Sequence, residues 1–249
     1  MTIQELHYDF KYKIDKIDSL QRENFLPAEI DWILNEAIKI IVKQRFGISN
    51  SKRLGFEGNQ KRIQDLKTLQ IKCPTSIQPA VIPSVVSTGV YELKLTDLAY
   101  DFLFLTRVTA KIAKTGCGSK IARVKELQHD DLNDVLLANP FYKPSFEWAE
   151  LPVNFGRTDQ VADSKGSMYF YTLGEFTIQE IYPEYLKFPN KISIGGYTYL
   201  DGTPAVQTEC DLPEELHSEI VDLAVSEAAR IISDPNFLQI KQAKLAINE

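Results

Sequence analysis

Two adjacent pairs of carboxylates are the side chains in this sequence best suited to acid–base chemistry. Asp130-Asp131 and Glu214-Glu215 could supply a general acid and a general base to a hydrolase or nuclease. Both pairs fall where a helix is predicted to begin, and the helix dipole stabilises negative charge in a first helical turn. We therefore interpret them as helix-capping residues. A hydrolase or nuclease that uses Asp130, Asp131 or Glu214 is the alternative.

The histidines and cysteines lie too far apart in sequence to form a metal-ligand motif. Neither a His-x-x-x-His nor a Cys-x-x-Cys spacing occurs. Gly116-Cys117-Gly118 falls in a predicted hairpin turn, whereas a phosphate-binding loop leads into a helix. The sequence therefore predicts no catalytic residue, no cofactor and no metal site. The side chains considered are His7, His129, His217, Cys73, Cys117 and Cys210.

A cluster of basic side chains marks one predicted hairpin of an acidic chain. Residues 107–125 contain six lysines and arginines and no acidic residue, although the whole chain has a net charge of −6. Such a cluster is compatible with a solvated face, with contact to acidic residues of a neighbouring subunit, or with a surface turned toward DNA; we favour the subunit contact. Tyrosines at strand edges also suit protein interfaces. The candidate subunit contacts are Arg107, Lys111, Lys114, Lys120, Arg123, Lys125, Tyr197 and Tyr199.

Helices are predicted at both ends of the chain. The first has apolar residues every three or four positions from Leu6 onward. The second opens at Leu26-Pro27-Ala28-Glu29 and closes at Gly47, with proline at the first helical position and glutamate in the first turn. Leu212-Pro213-Glu214-Glu215 repeats this opening near the carboxyl end, in a helix that ends before Asp234-Pro235. The shared opening predicts that these two helices pack as partners.

Strands are predicted between the helices. Alternating residues 103–113 and 120–127 form a hairpin around the turn at 114–119. Strands at 168–172 and 176–182 are predicted to pair around Leu173-Gly174, and another strand is predicted at 191–200.

The order of these elements predicts an α+β fold. A helical subdomain formed by both chain ends, 1–76 plus 211–249, carries an inserted antiparallel β-rich subdomain, 77–210, with a short helix near 130–138. No apolar run is long enough to cross a membrane, and the amino-terminal residues lack a secretory signal. We therefore expect a protein without a membrane partner that stays in the cytoplasm in which it is made.

Three stretches of the sequence carry a family resemblance. They are Leu95-Thr96-Asp97-Leu98-Ala99-Tyr100-Asp101-Phe102-Leu103, then Gln128-His129-Asp130-Asp131-Leu132 with Asn139-Pro140-Phe141-Tyr142-Lys143-Pro144, and finally Tyr185 to Ile192, Gly195-Gly196-Tyr197 and Asp211 to Asp222. In combination they resemble structural proteins of crAss-like phages of gut Bacteroidetes, in the group that builds the tail and neck rings of these short-tailed viruses. The resemblance spans about residues 90–232. The amino-terminal helices fit the family as helices, without a shared motif.

The resemblance implies a virion structural protein of the head-to-tail connector, adaptor or tail ring type, and not an enzyme. It further implies a homo-oligomeric ring, a dodecamer, that joins portal and tail and surrounds the DNA channel. The implied partners are the portal and other tail or neck ring proteins, with genomic DNA passing without sequence-specific binding. A DNA-binding module that acts through Arg107 and Arg123 remains a second alternative.

Overall fold

The computed structural model describes residues 1–15, 25–47, 60–72, 76–82, 88–132, 136, 143–156, 166–199 and 202–232. The chain divides into two compact units. The helical unit comprises 1–69 with 189–249, and the sheet unit comprises 70–188. The α+β class predicted from the sequence is confirmed. The predicted subdomains 1–76 with 211–249, and 77–210, stay a prediction.

The described residues of the helical unit form four α-helices: α1 (Ile3–Asp15), α2 (Pro27–Phe46), α3 (Gln60–Leu66) and α4 (His217–Ile232). Helix α4 packs against both α1 and α2, as the shared opening of α2 and α4 predicts. Buried apolar side chains fill the space between the helices, among them Leu6, Phe10, Ile30, Leu34, Ile38, Ile220 and Val225. This burial, rather than helix propensity alone, holds the short helices in place.

The starts of α2 and α4 differ in detail. Pro27 is the first helical residue of α2, and the Glu29 carboxylate accepts the Leu26 backbone N–H at 2.8 Å. At the second opening, a 3₁₀ turn (Glu214–Leu216) precedes α4. The similar sequences therefore produce an α-helical start in one place and a tighter turn in the other.

Residues 189–199 and 202–210 complete the helical unit as an irregular segment. The strand predicted at 191–200 is wrong, because Ser193–Thr208 and Thr198–Pro204 form only isolated bridges. The reason is that side chains of α2 form hydrogen bonds with backbone groups of this segment, which are then not available to pair with a neighbouring strand. The Asn35 side-chain oxygen accepts the Ile192 N–H at 2.9 Å, and the Asn35 amide donates to the Ile192 carbonyl at 2.9 Å.

The sheet unit contains one sheet of eight described strands. The strands are β1 (Gln70–Lys72), β2 (Ala80–Ile82), β3 (Val90–Lys94), β4 (Phe102–Lys114), β5 (Gly118–Glu126), β6 (Glu150–Gly156), β7 (Ser167–Tyr171) and β8 (Thr177–Lys187). In spatial order they run β1-β8-β4-β5-β6-β7-β3-β2. One hydrophobic cluster takes side chains from six of them, β3 to β8, so the sheet unit has a core of its own.

The sheet is mixed, which corrects the prediction of an antiparallel insertion. Strands β5 and β6 pair in parallel, from Arg123 opposite Glu150 to Glu126 opposite Val153. Parallel neighbours need a crossover much longer than a hairpin turn. Residues 127–149 provide that length, and the sequence pattern did not reveal that they return the chain in the same direction.

The two predicted hairpins have different outcomes. The hairpin of β4 and β5 is confirmed, with Lys114 opposite Gly118 beside its turn. The pairing predicted around Leu173-Gly174 is wrong, because β7 pairs with β6 and β3 while β8 pairs with β4 and β1. Residues 133–135 and 137–138 of the region predicted as a short helix lie outside the described residues, as do residues 236–249 of the predicted helical subdomain.

Candidate functional site

The β4–β5 hairpin presents its basic side chains on two opposite faces. Residues directly opposite each other in an antiparallel pair share a face. Thr109 lies opposite Arg123, Ala110 opposite buried Ala122, and Ile112 opposite Lys120. The alternation therefore separates the six basic residues into two groups. The outer face carries Arg107, Lys111, Arg123 and Lys125, whereas the hairpin end carries Lys114 and Lys120 on the core side.

Carboxylates of the same chain pair with two side chains of the outer face. Arg107 Nη2 lies 2.6 Å from Glu184 Oε1, and Lys111 Nζ lies 3.7 Å from Glu180 Oε1. Both carboxylates are on β8, directly opposite their partners. Solvent weakens such pairs, since the Arg107 side chain is 64% exposed. The outer face thus remains a cationic surface, on which Arg107 and Lys111 are partly balanced by these carboxylates.

The hairpin end is more open. Lys114 and Lys120 are exposed, and the Lys120 Nζ lies 4.8 Å from the centroid of the Phe146 ring. This cation–π contact directs the Lys120 ammonium across the edge of the core. Gly116 has a φ of +82°, which allows the tight turn between the strands. The hairpin end is therefore a fixed projection with two accessible positive charges.

A cleft of about 560 Å³ opens where β4 and β5 separate. The β4–β5 pairing ends at Thr109 and Arg123, and beyond that point β4 continues along β8 while β5 continues along β6. The register of β4 against β8 shifts by one residue between Leu105 and Arg107, so Thr106 is a β-bulge. We call this opening the splay cleft. It is lined by Leu105, Thr106, Arg107, Val108, Thr109, Ile121, Ala122, Arg123, Val124, Glu126 and Val153.

The two predicted contact tyrosines belong to the helical unit. Tyr197 and Tyr199 pack edge to face with ring centroids 5.3 Å apart. The Tyr197 hydroxyl donates to Asp31 Oδ2 at 2.7 Å, whereas the Tyr199 ring is 43% exposed. The structure therefore does not bring them together with the hairpin residues in one unit. Tyr199 is the more accessible of the two.

Asp31 is the centre of a buried polar cluster that sequence reasoning missed. Its carboxylate accepts from His7 Nε2 at 2.7 Å, from the Ile194 N–H at 3.0 Å and from the Tyr197 hydroxyl. Burial opposes ionisation, but the hydrogen bonds from His7, Tyr197 and Ile194 outweigh it and hold the Asp31 pKa below its ordinary value. An acidic residue on the apolar stripe of α2 was the available signal. We call these residues the Asp31 cluster.

The residues proposed for acid–base chemistry belong to different units. Asp130 and Asp131 lie exposed in a turn after β5, and Glu214 lies exposed before α4 in the other unit. Within the described ranges, no group of three or more potential ligands could hold a metal ion. The histidines serve structural contacts: His217 Nε2 lies 3.0 Å from the Leu212 carbonyl, and burial lowers the His217 pKa.

No helix among the described residues combines the length and the apolar character needed to cross a bilayer.

Comparison with known protein families gives a match that covers most of the chain. The profile of the family described as phage tail ring protein 3/4 matches residues 1–236. No curated protein matches the chain. The match includes α1, α2 and α3, which lie outside the three motifs noted in the sequence, and it extends through both units.

Proposed function

Because the chain belongs to the phage tail ring protein 3/4 family, we propose that it is a ring-forming subunit of the head-to-tail connector that surrounds the DNA channel. The family match is the observation that carries the proposal, since it indicates a structural protein of the virion tail rather than an enzyme. Closed rings form when one face of a subunit meets a different face of the next. We propose a ring of twelve copies that contacts the portal and other tail proteins.

We further propose that the basic hairpin provides one of these faces. Lys114 and Lys120 project from the hairpin end, and the outer face adds Arg107, Lys111, Arg123 and Lys125. In the helical unit, Tyr199 offers a separate exposed ring for a contact, and Tyr197 supports it from the Asp31 cluster. Complementary charge would favour acidic partners and set the register of a contact. A net charge of −6 also suits a channel that must not grip DNA phosphates.

The proposal is tested by the mass and the shape of the assembled protein. Multi-angle light scattering should find an oligomer, about 340 kDa for twelve chains of 28.3 kDa. Negative-stain images should show rings with a central opening. A protein that stays monomeric at high concentration and is absent from purified virions would contradict the proposal.

The role of the hairpin is tested by charge reversal. The variant Lys114→Glu/Lys120→Glu should reduce the ring population at least tenfold at equal protein concentration. Lys43→Glu/Lys67→Glu is the matched control, because it makes the same change in net charge at two exposed lysines of the helical unit. Equal loss of rings in both variants would show that net charge, and not the hairpin, matters. Salt-sensitive DNA binding that Arg107→Ala/Arg123→Ala abolishes would instead favour the DNA-binding alternative.

A further inference from the structure

Among the described residues, no strand pairs with either of the two strand edges that border the splay cleft. On β4 the edge is 105–108, where the pairing described is with β8, and on β5 it is 124–126, where the pairing described is with β6. Four residues of β4 span about 13 Å. Backbone N–H and C=O groups at such edges are a template for another extended chain.

The accessible part of the cleft lies on the outer face of the sheet. Arg107 and Arg123 line it and are exposed, whereas Val108 and Val153, which also border it, are buried in the hydrophobic core. A strand added along these edges would therefore place its outward-facing side chains beside the arginines and turn the alternate side chains toward the core.

The polar groups of the cleft favour an acidic occupant. Arg107 and Arg123 line it, and Glu126 is the only acidic residue among its lining residues. Arg107 contacts Glu184 but has further guanidinium donors. The Thr106 hydroxyl, at the bulge, is buried and has no hydrogen-bond partner among the described residues. A chain with alternating acidic and apolar residues matches this arrangement, because alternate side chains of a strand face opposite sides.

We propose that the splay cleft binds an extended acidic segment of another tail protein, which adds a strand between β4 and β5. This inference rests on the proposed function, since the occupant is taken to be a neighbour in the tail. A second copy of this chain is a weaker candidate. In one acidic segment of this chain, Glu209 already accepts the Ile3 N–H at 2.7 Å, and Asp211 accepts the Asn190 N–H at 3.2 Å.

A fluorescent ten-residue peptide that alternates glutamate with valine is the probe, and fluorescence anisotropy measures its binding to the full chain. The peptide should bind one to one. The same peptide with its two central valines replaced by proline should bind at least tenfold more weakly, because proline removes ladder donors. The protein variant Arg123→Glu should also lower the affinity at least tenfold, as should Arg107→Glu/Arg123→Glu. Lys114→Glu/Lys120→Glu, outside the cleft, should change it less than threefold.

The outcomes separate this inference from the proposed function. Rings that form normally while the peptide fails to bind overturn the inference alone. Equal binding of the proline peptide shows attraction by charge without strand addition and also overturns it. Equal weakening by the hairpin-end variant, or preferential binding of duplex DNA at the same site, does the same. Circular dichroism of each variant confirms that the fold is retained, and Arg123→Glu leaves the Arg107–Glu184 pair intact.

Discussion

At the scale of single residues, Asp31 combines features that make a side chain costly to remove. The carboxylate is buried and has three donors. One is His7 of α1, and the other two are the Ile194 N–H and the Tyr197 hydroxyl in the segment after residue 189. Without the carboxylate those donors lose their common acceptor inside the protein. A buried donor that loses its acceptor costs more than an average hydrogen bond gains.

We expect Asp31→Ala to lower the free energy of unfolding by about 3 kcal/mol or more. Urea denaturation followed by circular dichroism at 222 nm measures the change. Glu36→Ala is the control on the same helix, because Glu36 forms only a half-exposed pair with Lys39. That variant should stay within about 0.5 kcal/mol of the parent. Similar losses in both variants would contradict the assigned role of the Asp31 cluster.

The lowered pKa of Asp31 also predicts a dependence on pH. A carboxyl group with a depressed pKa in the folded state contributes stability that is present above its ordinary value of 3.8 and is lost as pH falls through the lower folded value. The parent should therefore lose more unfolding free energy between pH 5 and pH 2 than Asp31→Asn, which does not titrate there. Parallel curves for the two proteins would be inconsistent with a depressed pKa.

The sequence predicted the face on which a side chain lies, but not the partner that the side chain meets. Tyr197 was expected at a subunit contact, yet its hydroxyl binds Asp31, which lies 166 positions away in the chain. Arg107 likewise meets Glu184, 77 positions away. Periodicity places a side chain on a face, whereas only the tertiary fold decides which charge it faces.

At the scale of elements, two glycines with positive φ differ in how well they would tolerate a side chain. Gly89 has a φ of +71°, and a Cβ there would lie 2.4 Å from Thr172 Oγ1. Gly116 has a φ of +82°, with nothing within 4 Å of an added Cβ. The first position is restricted by backbone conformation and by space, the second by backbone conformation alone.

We expect Gly116→Ala to cost about 1 kcal/mol of unfolding free energy, from the left-handed backbone conformation. Gly89→Ala should cost about 3 kcal/mol, because the methyl group also displaces the Thr172 side chain. Thermal denaturation of the two variants beside the parent makes the comparison. If Gly89→Ala were no worse than Gly116→Ala, the close contact with Thr172 would be wrong.

The elements differ in how far local signals determine them. Pro27, Glu29 and Gly47 correctly predicted both ends of α2, because helix ends depend on the residues close to them in sequence. The turn after β7 was also correct, with Leu173 and Gly174 both at positive φ. Its strands nevertheless pair elsewhere, since strand partners are selected across the whole sheet.

At the scale of the whole molecule, the sheet unit is one continuous segment with its own hydrophobic cluster. We therefore expect residues 70–188 to fold alone, with a β-sheet circular dichroism spectrum and a cooperative thermal transition. The segment 1–69 should not fold alone, because α1 and α2 pack against α4. A noncooperative transition in 70–188 would show that the sheet depends on the helices.

The late position of β8 and α4 in the chain means that neither unit can fold completely until most of the chain has been synthesised. Strand β8 is the strand partner of β1 and also pairs with β4, while α4 packs against both α1 and α2. A chain released from the ribosome after residue 176 would complete neither unit. We therefore expect premature termination products to remain unfolded and to be cleaved by proteases, instead of entering a growing virion as defective subunits.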